Sequence, residues 1–476
     1  MHHKRDMGMK RAALFQFASK YSSIAVQLVI TAILSRLVSP EEFGLISIVT
    51  VFTAFFQLFS DMGLGTAVVQ FQDLTEEDMG GLFCFSMLVS LVLSFLFAFA
   101  SVPIASFYGD SRLVPLCLAS IPSLAFSTLN MVPNGLMLRN RRFDLIGVRL
   151  VVTTFFSGAV AIAMAMFGFG AYSLVVQTDI MTGLVFLWNY ASQPLRGINR
   201  HFVYPLKRVF SYSAYQFGFS AVNYFSRNLD KLLIGRFLGT AAAGYYDKAY
   251  KLTTYPLSSF AGIIGSIIQP FMAEHQDEPD AIFHCWMRVS KVLSLIGIPI
   301  AALFFSASFE IVNLFYGPGW DEAIPVFSAL SISVYFQIIC NPSGGFFQSL
   351  GRTDLMFHCS IVNTVLTLAG LFLGLMGGSL LSVAWGIAVA FCIQFIPLVY
   401  FLIIRGFKES PSCLSPFLLD FAIGILSCCF CSAFSSFFPF SGLSMFLLKS
   451  VAIGSFITAC YAVTGRLSML KTVVLH

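Results

Sequence analysis

The chain has 476 residues, of which 57% are hydrophobic and 11% charged, with 28 Lys and Arg against 23 Asp and Glu. A soluble domain carries about 25% charged residues, and a mean hydropathy of +0.82 means more apolar surface than a globule can hide. A soluble catalytic domain and a disordered chain are both excluded, which leaves a protein whose solvent is mostly lipid.

Apolar runs such as Leu82–Ile104 and Phe421–Phe438 are long and continuous, unlike the alternating ten-residue segments of a barrel. The sequence therefore predicts an all-α polytopic membrane protein with about fourteen transmembrane helices. They fall at 12–38, 43–70, 80–107, 112–137, 145–168, 170–193, 208–237, 241–271, 282–308, 321–349, 354–376, 379–404, 414–437 and 442–464. A span needs about 20 apolar residues, so the longest of these tilt, bend or project into water. The polar connections Gln193–Arg208 and Glu274–Phe283 are too short to fold alone. Lys4, Arg5, Lys10 and Arg11 precede an apolar run with no small-residue cleavage site, so no cleavable signal peptide is expected. The 11 cysteines are an odd number and sit almost entirely within predicted helices. Cys428, Cys429 and Cys431 read as small packing residues rather than a metal site. The chain has no GxxxxGK[ST] signature, and no cofactor, nucleotide or nucleic-acid partner is expected.

Lys and Arg collect on cytoplasmic loops. With the N-terminus inside, 20 of the 28 basic residues fall on inner segments, among them Arg139, Arg141, Arg142, Arg196, Arg200, Lys207, Arg405 and Lys408. The reverse orientation inverts the bias. Both termini are expected in the cytoplasm.

The chain also repeats itself. Arg36-Leu-Val-Ser-Pro-Glu-Glu-Phe-Gly44 at the outer end of the first helix recurs as Arg236-Phe-Leu-Gly-Thr-Ala-Ala-Ala-Gly244. Phe107-Tyr108-Gly109 recurs as Phe315-Tyr316-Gly317, and Arg142-Phe-Asp144-Leu145 as Arg352-Thr-Asp354-Leu355. Three landmarks in one order, at offsets of 200, 208 and 210, define a six-helix unit. Six is even, so both copies enter from the same side, related by a pseudo-twofold axis along the membrane normal. The expected organisation is an N-terminal six-helix bundle (1–200), a C-terminal six-helix bundle (201–411) and two further helices with a cytoplasmic tail (412–476). A cleft between two such bundles suits a rocking, alternating-access transporter.

Charges at membrane depth cost several kcal/mol and usually face a cavity or a partner. The predicted hairpin 208–271 carries Arg227, Asp230, Lys231, Arg236, Asp247, Lys248 and Lys251. Arg227 and Lys231, four apart, share a face, and Asp230 can partly neutralise them. Lys248, Lys251 and Tyr255 recur at three to four residues on another. Two readings stand: a water-filled basic cavity or a structural ion-pair cluster. Arg36 and Arg236, at outer helix ends, read as snorkelling residues. The matching first-half positions are milder, with Gln27 for Arg227 and Thr31 for Lys231. Ionisable candidates there are Arg149, a further substrate-binding residue, and Asp61 and Asp179, candidates for a coupling ion. Glu310 and His358 read as structural, and Lys449, outside the repeat, as a cation that tolerates Gln. A basic cavity suits an anionic cargo, because Arg forks match phosphate oxygens and Lys adds point charge.

The stretch Arg227-Asn-Leu-Asp230-Lys-Leu-Leu-Ile-Gly-Arg236-Phe-Leu-Gly, then Ala-Gly244-Tyr-Tyr, Ala249-Tyr-Lys-Leu and Pro256, resembles the polysaccharide-exporter branch of the multidrug/oligosaccharidyl-lipid/polysaccharide superfamily. Arg36–Leu45 and the loop Leu138–Asp144 carry the same resemblance, which spans residues 10 to 408 and looks like the Wzx-type flippases of colanic and teichuronic acid export. The resemblance implies translocation of an undecaprenyl-diphosphate-linked oligosaccharide from the inner to the outer leaflet of the bacterial plasma membrane, for O-antigen, capsule or exopolysaccharide. It implies a transporter rather than an enzyme and a positive central cavity; with no nucleotide-binding signature, a proton or sodium gradient is the expected energy source, in a functional monomer. The alternatives are a lipid II flippase or a drug/cation antiporter of the same superfamily. From a different class comes a membrane-embedded polysaccharide polymerase or ligase. An antiporter for cations should have an acidic cavity, and a polymerase should carry a large outer loop that this sequence lacks.

Overall fold

The computed structural model describes residues 9–61, 65, 68–69, 71, 73–195, 224, 228–274, 278–438 and 441–466, with the backbone alone at 9–17, 60–61 and 258–274. Among the described residues the regular structure is entirely helical. Twelve helices there are long and apolar enough to cross a membrane: Ala18–Leu37, Pro40–Phe59, Glu76–Tyr108, Leu113–Arg139, Phe143–Met166, Ala171–Ser192, Pro279–Ser306, Ala323–Ser349, Thr353–Met376, Leu380–Phe407, Pro411–Ser435 and Gly442–Val463. Each matches one of the fourteen segments read from the sequence. Of the other two, 208–237 lies largely outside the described residues. The segment 241–271 falls within the 35-residue helix Thr240–Glu274, which carries Asp247, Lys248 and Lys251 and is not among the twelve.

Local chemistry sets the helix ends. Thr75 caps Glu76–Tyr108 in a reciprocal box with Asp78, and Gly109 ends that helix in the left-handed region at φ 69°. Pro122 and Pro342 cannot donate a backbone N–H. With Pro133, which likewise lacks the N–H that would bond Leu129, they break the spans into Leu113–Ala119, Ile121–Leu129 and Met131–Arg139, and into Ala323–Cys340 and Ser343–Ser349. One element was not foreseen: the short helix Ser308–Tyr316, which buries Ile311 and Val312 and exposes Phe309.

The chain divides into two compact units, 1–244 and 245–476. In the first, Leu45, Ile48, Phe97, Leu113, Leu116 and Leu124 form one core cluster, and Leu82, Phe83, Met131 and Val132 a second. In the second unit the core runs from Trp286 through Tyr335 and Phe346 to Phe417, Ile457 and Tyr461, so the last two helices are part of it. Lipid gives little hydrophobic drive between helices, and small residues let backbones approach. Gly370 and Gly386 do so reciprocally. A Cβ on the first would stand 2.3 Å from the carbonyl oxygen of the second, and a Cβ on the second 2.2 Å from that of the first. The opposite face of a span is the apolar one: Leu91, Phe95, Phe99 and Val102 are exposed along one stripe of Glu76–Tyr108.

Candidate functional site

The three landmark pairs have matching local structure. Arg142 and Arg352 each immediately precede a 24-residue helix, Phe143–Met166 and Thr353–Met376, and each pairs with the Asp two residues on, at 3.7 and 3.0 Å. Tyr108 and Tyr316 each end a helix at a glycine of positive φ, 69° and 81°. Each hydroxyl donates to a backbone carbonyl of its own unit, Leu232 at 3.2 Å and Lys248 at 3.1 Å. The third pair meets within the first unit. A Cβ on Gly44 would stand 1.7 Å from the Thr240 carbonyl oxygen, and a Cβ on Gly244 would stand 2.0 Å from that of Pro40. Pro40 and Thr240 are themselves equivalent at offset 200 and begin the helices Pro40–Asp61 and Thr240–Glu274. The contact is thus reciprocal, as a twofold contact between equivalent segments must be. Glu42 of the same landmark accepts from the backbone N–H of Ala171 at 3.2 Å, capping the helix Ala171–Ser192 from outside it. Glu41 pairs with Arg112.

The expected charged residues lie as follows. In the first unit, Asp230 is buried, and its Oδ1 accepts the backbone N–H of Lys231 at 2.8 Å. Their helical segment, 228–237, is held by the Tyr108 bond to Leu232 and by Arg236 stacking on Phe107 at 5.3 Å. Arg227 lies outside the described residues, and so does the side chain of Asp61, whose backbone ends the helix Pro40–Asp61. The first-half counterparts Gln27 and Thr31 bond each other at 3.4 Å.

Arg149 sits two turns into Phe143–Met166 and is 8% exposed. Its Nη1 donates to Asn189 and, at 3.4 Å, to Asn134, while Asn189 donates in turn to Asn130 at 2.8 Å. These partners are neutral carboxamides. Among the described residues no carboxylate pairs with Arg149, and its buried Nε has no hydrogen-bond partner. The Nε–Nη2 edge is the one a guanidinium uses to grip an oxyanion with two parallel bonds.

Asp179 accepts the backbone N–H of Ser123 at 2.9 Å. Pro122 starts a new helical segment there, so Ser123 holds one of the orphan donors of a helix N-terminus. Beside it is a cavity of about 90 Å³ lined by Thr50, Thr53, Gln57, Ser120, Ser123 and Thr178, among others.

In the second unit Lys248 is buried, its Nζ 5.3 Å from the Tyr316 ring and 6.0 Å from Trp320. Lys251, one turn on, is open and forms an ion pair with Asp247 at 2.6 Å. Tyr255 is half-buried. The spacing that put Lys248 and Lys251 together thus resolves into one lysine enclosed by aromatic rings and one paired at the surface.

Sequence reasoning missed two buried ion pairs in this unit. Lys449 donates to Glu310 at 2.7 Å and to the Ser306 carbonyl at 2.9 Å. Asp420 pairs with Arg466 and accepts from Ser294 at 2.6 Å. Tyr335 bonds Ser294 at 2.9 Å and donates to the Phe417 carbonyl at 2.8 Å. Partners so far apart in the chain leave no periodic trace.

The sequence matches the model of the polysaccharide biosynthesis protein family over residues 33–325. It is 28% identical over 423 residues to the teichuronic acid biosynthesis protein TuaB of Bacillus subtilis (strain 168), covering 86% of this chain and 87% of that one. It is 22% identical over 373 residues to the succinoglycan biosynthesis transport protein ExoT of Rhizobium meliloti (strain 1021), covering 76% and 74%. The fold is similar to that of the lipid II flippase MurJ in an inward closed conformation, with a TM-score of 0.74 at 15% identity, covering 94% of this chain and 99% of that one.

Proposed function

Since the chain belongs to the polysaccharide biosynthesis protein family, we propose that it is a Wzx-type flippase. It carries an undecaprenyl-diphosphate-linked oligosaccharide from the inner to the outer leaflet of the bacterial plasma membrane by alternating access, with both termini in the cytoplasm. The observation that carries this reading is Arg149. A guanidinium 8% exposed and held by Asn134 and Asn189 has no described carboxylate to compensate its charge. Burying an uncompensated charge costs several kcal/mol, and a diphosphate bound at the unpaired Nε offsets that cost. An ion pair built into the fold would leave nothing for a ligand to gain.

In this reading Arg149 and Lys231 grip the diphosphate, Arg227 is a further phosphate-binding residue, and Asp230 orders the Lys231 segment. Lys248, Lys251 and Tyr255 serve the sugar end. Asp179, and Asp61 with it, carries the proton or sodium that couples the crossing to a gradient. The cargo's negative charge separates this reading from a drug/cation antiporter.

The test is flipping of lipid-linked oligosaccharides by the purified chain in proteoliposomes, scored by access of a sugar-specific lectin or hydrolase to the outer leaflet. Transport should require the diphosphate-linked sugar and drop at least tenfold in Arg149→Gln and Lys231→Gln at normal abundance. Translocation of lipid II alone would favour the peptidoglycan alternative. Undiminished transport by the Arg149→Gln, Lys231→Gln double variant would remove the anionic-cargo mechanism.

A further inference from the structure

The repeated Arg-x7-Gly landmark is more than a trace of duplication, because its two copies touch. At Gly44 and Gly244 the helix starts Pro40–Asp61 and Thr240–Glu274 meet backbone to backbone, and any side chain would collide with a carbonyl at 1.7 or 2.0 Å. The contact continues one turn deeper. A Cβ on Gly235 would stand 3.0 Å from Cδ1 of Ile48 and 3.2 Å from Cε1 of Tyr108. The same helix Pro40–Asp61 also lines a cavity of about 90 Å³ with Ile46, Val49, Thr50, Thr53, Ala54 and Gln57, which begins about 3 Å past Gly44 at 1.5 Å per residue. The segment 228–237 carries Asp230 and Lys231 on the same side of the seam. The seam therefore stands at the end of these helices that the charge pattern assigns to the outside. It closes backbone to backbone at Gly44 and Gly244, and deeper in by the Tyr108 hydroxyl on the Leu232 carbonyl and Arg236 stacked on Phe107.

We propose that the Gly44–Gly244 seam is the outer gate of this protein, closed here and parted to let cargo reach the outer leaflet. The proposal rests on the alternating-access reading above. Glycine is required because it lets two helix starts close to backbone contact, and the reciprocal geometry lets both copies part in one movement.

A disulfide across the seam tests this. The Cγ1 of Ile48 lies 3.3 Å from where a Cβ at position 235 would stand, so sulfurs at 48 and 235 fall within reach of a bond whose Cβ atoms lie about 3.5–4.5 Å apart. Ile48→Cys with Gly235→Cys is expected to cross-link on oxidation, verified by peptide mass spectrometry against the 11 native cysteines. Flipping in proteoliposomes should fall more than tenfold when oxidised and return on reduction, whereas oxidation should not change the rate of either single variant. A cross-linked protein that flips at full rate would overturn the gate.

A second arm does not depend on transport. Gly44→Ala should hold the seam apart and raise labelling of Thr240→Cys by a membrane-impermeant maleimide at least threefold over Thr240→Cys alone. Unchanged labelling in protein of normal abundance would overturn the proposal equally. Should the reduced parent fail to flip lipid-linked sugar at all, the functional reading falls, while the labelling arm still decides the gate.

Discussion

Removing the Arg466 guanidinium should unlock the second unit. Asp420 has a side chain only 3% exposed and Arg466 one 10% exposed, so their attraction acts in a poorly screened interior. Besides the pair itself, Arg466 donates to the Pro416 carbonyl at 2.9 Å, and Asp420 accepts from Ser294. Arg466→Met leaves the carboxylate buried with one hydroxyl for company. Stranding a charge in this way costs about 3–5 kcal/mol. Asp420→Leu strands the guanidinium instead, but Arg466 sits at the helix end and can turn to water, so about 2 kcal/mol is expected. The double variant removes both charges and should recover to within about 1–2 kcal/mol of the parent. The assay is a double-mutant cycle read by denaturant titration of purified protein in mixed micelles. Additive losses in the cycle, or an Arg466→Met variant as stable as the parent, would refute the view that this contact is a dry, coupled pair.

Four further outcomes are expected. Lys449→Gln, which the sequence alone marks as harmless, should destabilise the protein by about 2–3 kcal/mol by leaving Glu310 buried without its cation; adding Glu310→Gln should restore most of the loss in the same titration. Gly370→Leu should push apart the helices Thr353–Met376 and Leu380–Phe407, costing about 1–3 kcal/mol and lowering the thermal midpoint of detergent-solubilised protein. Asp179→Ala should lose the cap on Ser123, worth about 0.5–2 kcal/mol, whereas Asp179→Asn should keep most of it. If Asp179 also carries the coupling ion, the Asn variant alone combines normal stability with loss of gradient-driven flipping. Arg112 holds the Asp110 carboxyl below the usual carboxylate range, chiefly by its side-chain hydrogen bond. A depressed carboxyl contributes stability above its unfolded pKa and loses it as pH falls through the folded one. Protease access to the 109–112 loop in vesicles should thus stay low through pH 5 and rise only below about 4, and Arg112→Ala should shift that rise upward.

The spans were legible because an apolar run of about 20 residues has one solution in lipid, and twelve of the fourteen segments reappear among the described residues as helices long and apolar enough to cross a membrane. The landmarks were legible because each repeats a local requirement: a glycine where φ turns positive at 109 and 317, an Arg beside an Asp at 142 and 352. The setting of Arg149 was not. Asn130, Asn134 and Asn189 are ordinary polar residues in the sequence, and only folding brings the last of them 59 positions back to the first. Lys449 and Glu310 were each noted and read apart, because their pairing spans 139 residues. Lys248 shows the limit of periodicity: spacing put it on a face with Lys251, but Tyr316 and Trp320, some seventy residues on, determine that one is enclosed and the other open.

The Asp420 cluster also bears on how the chain is made. Ser294 leaves the ribosome first, then Tyr335, then Asp420, and Arg466 follows every other member. Until that arginine arrives, a carboxylate and two hydroxyls wait in a half-built bundle, exposed to the insertion machinery and to membrane proteases that recognise unpaired polar groups in lipid. The second unit therefore has a chemical signature of completion. Released chains ending just before and just after residue 466 should have sharply different lifetimes in the membrane.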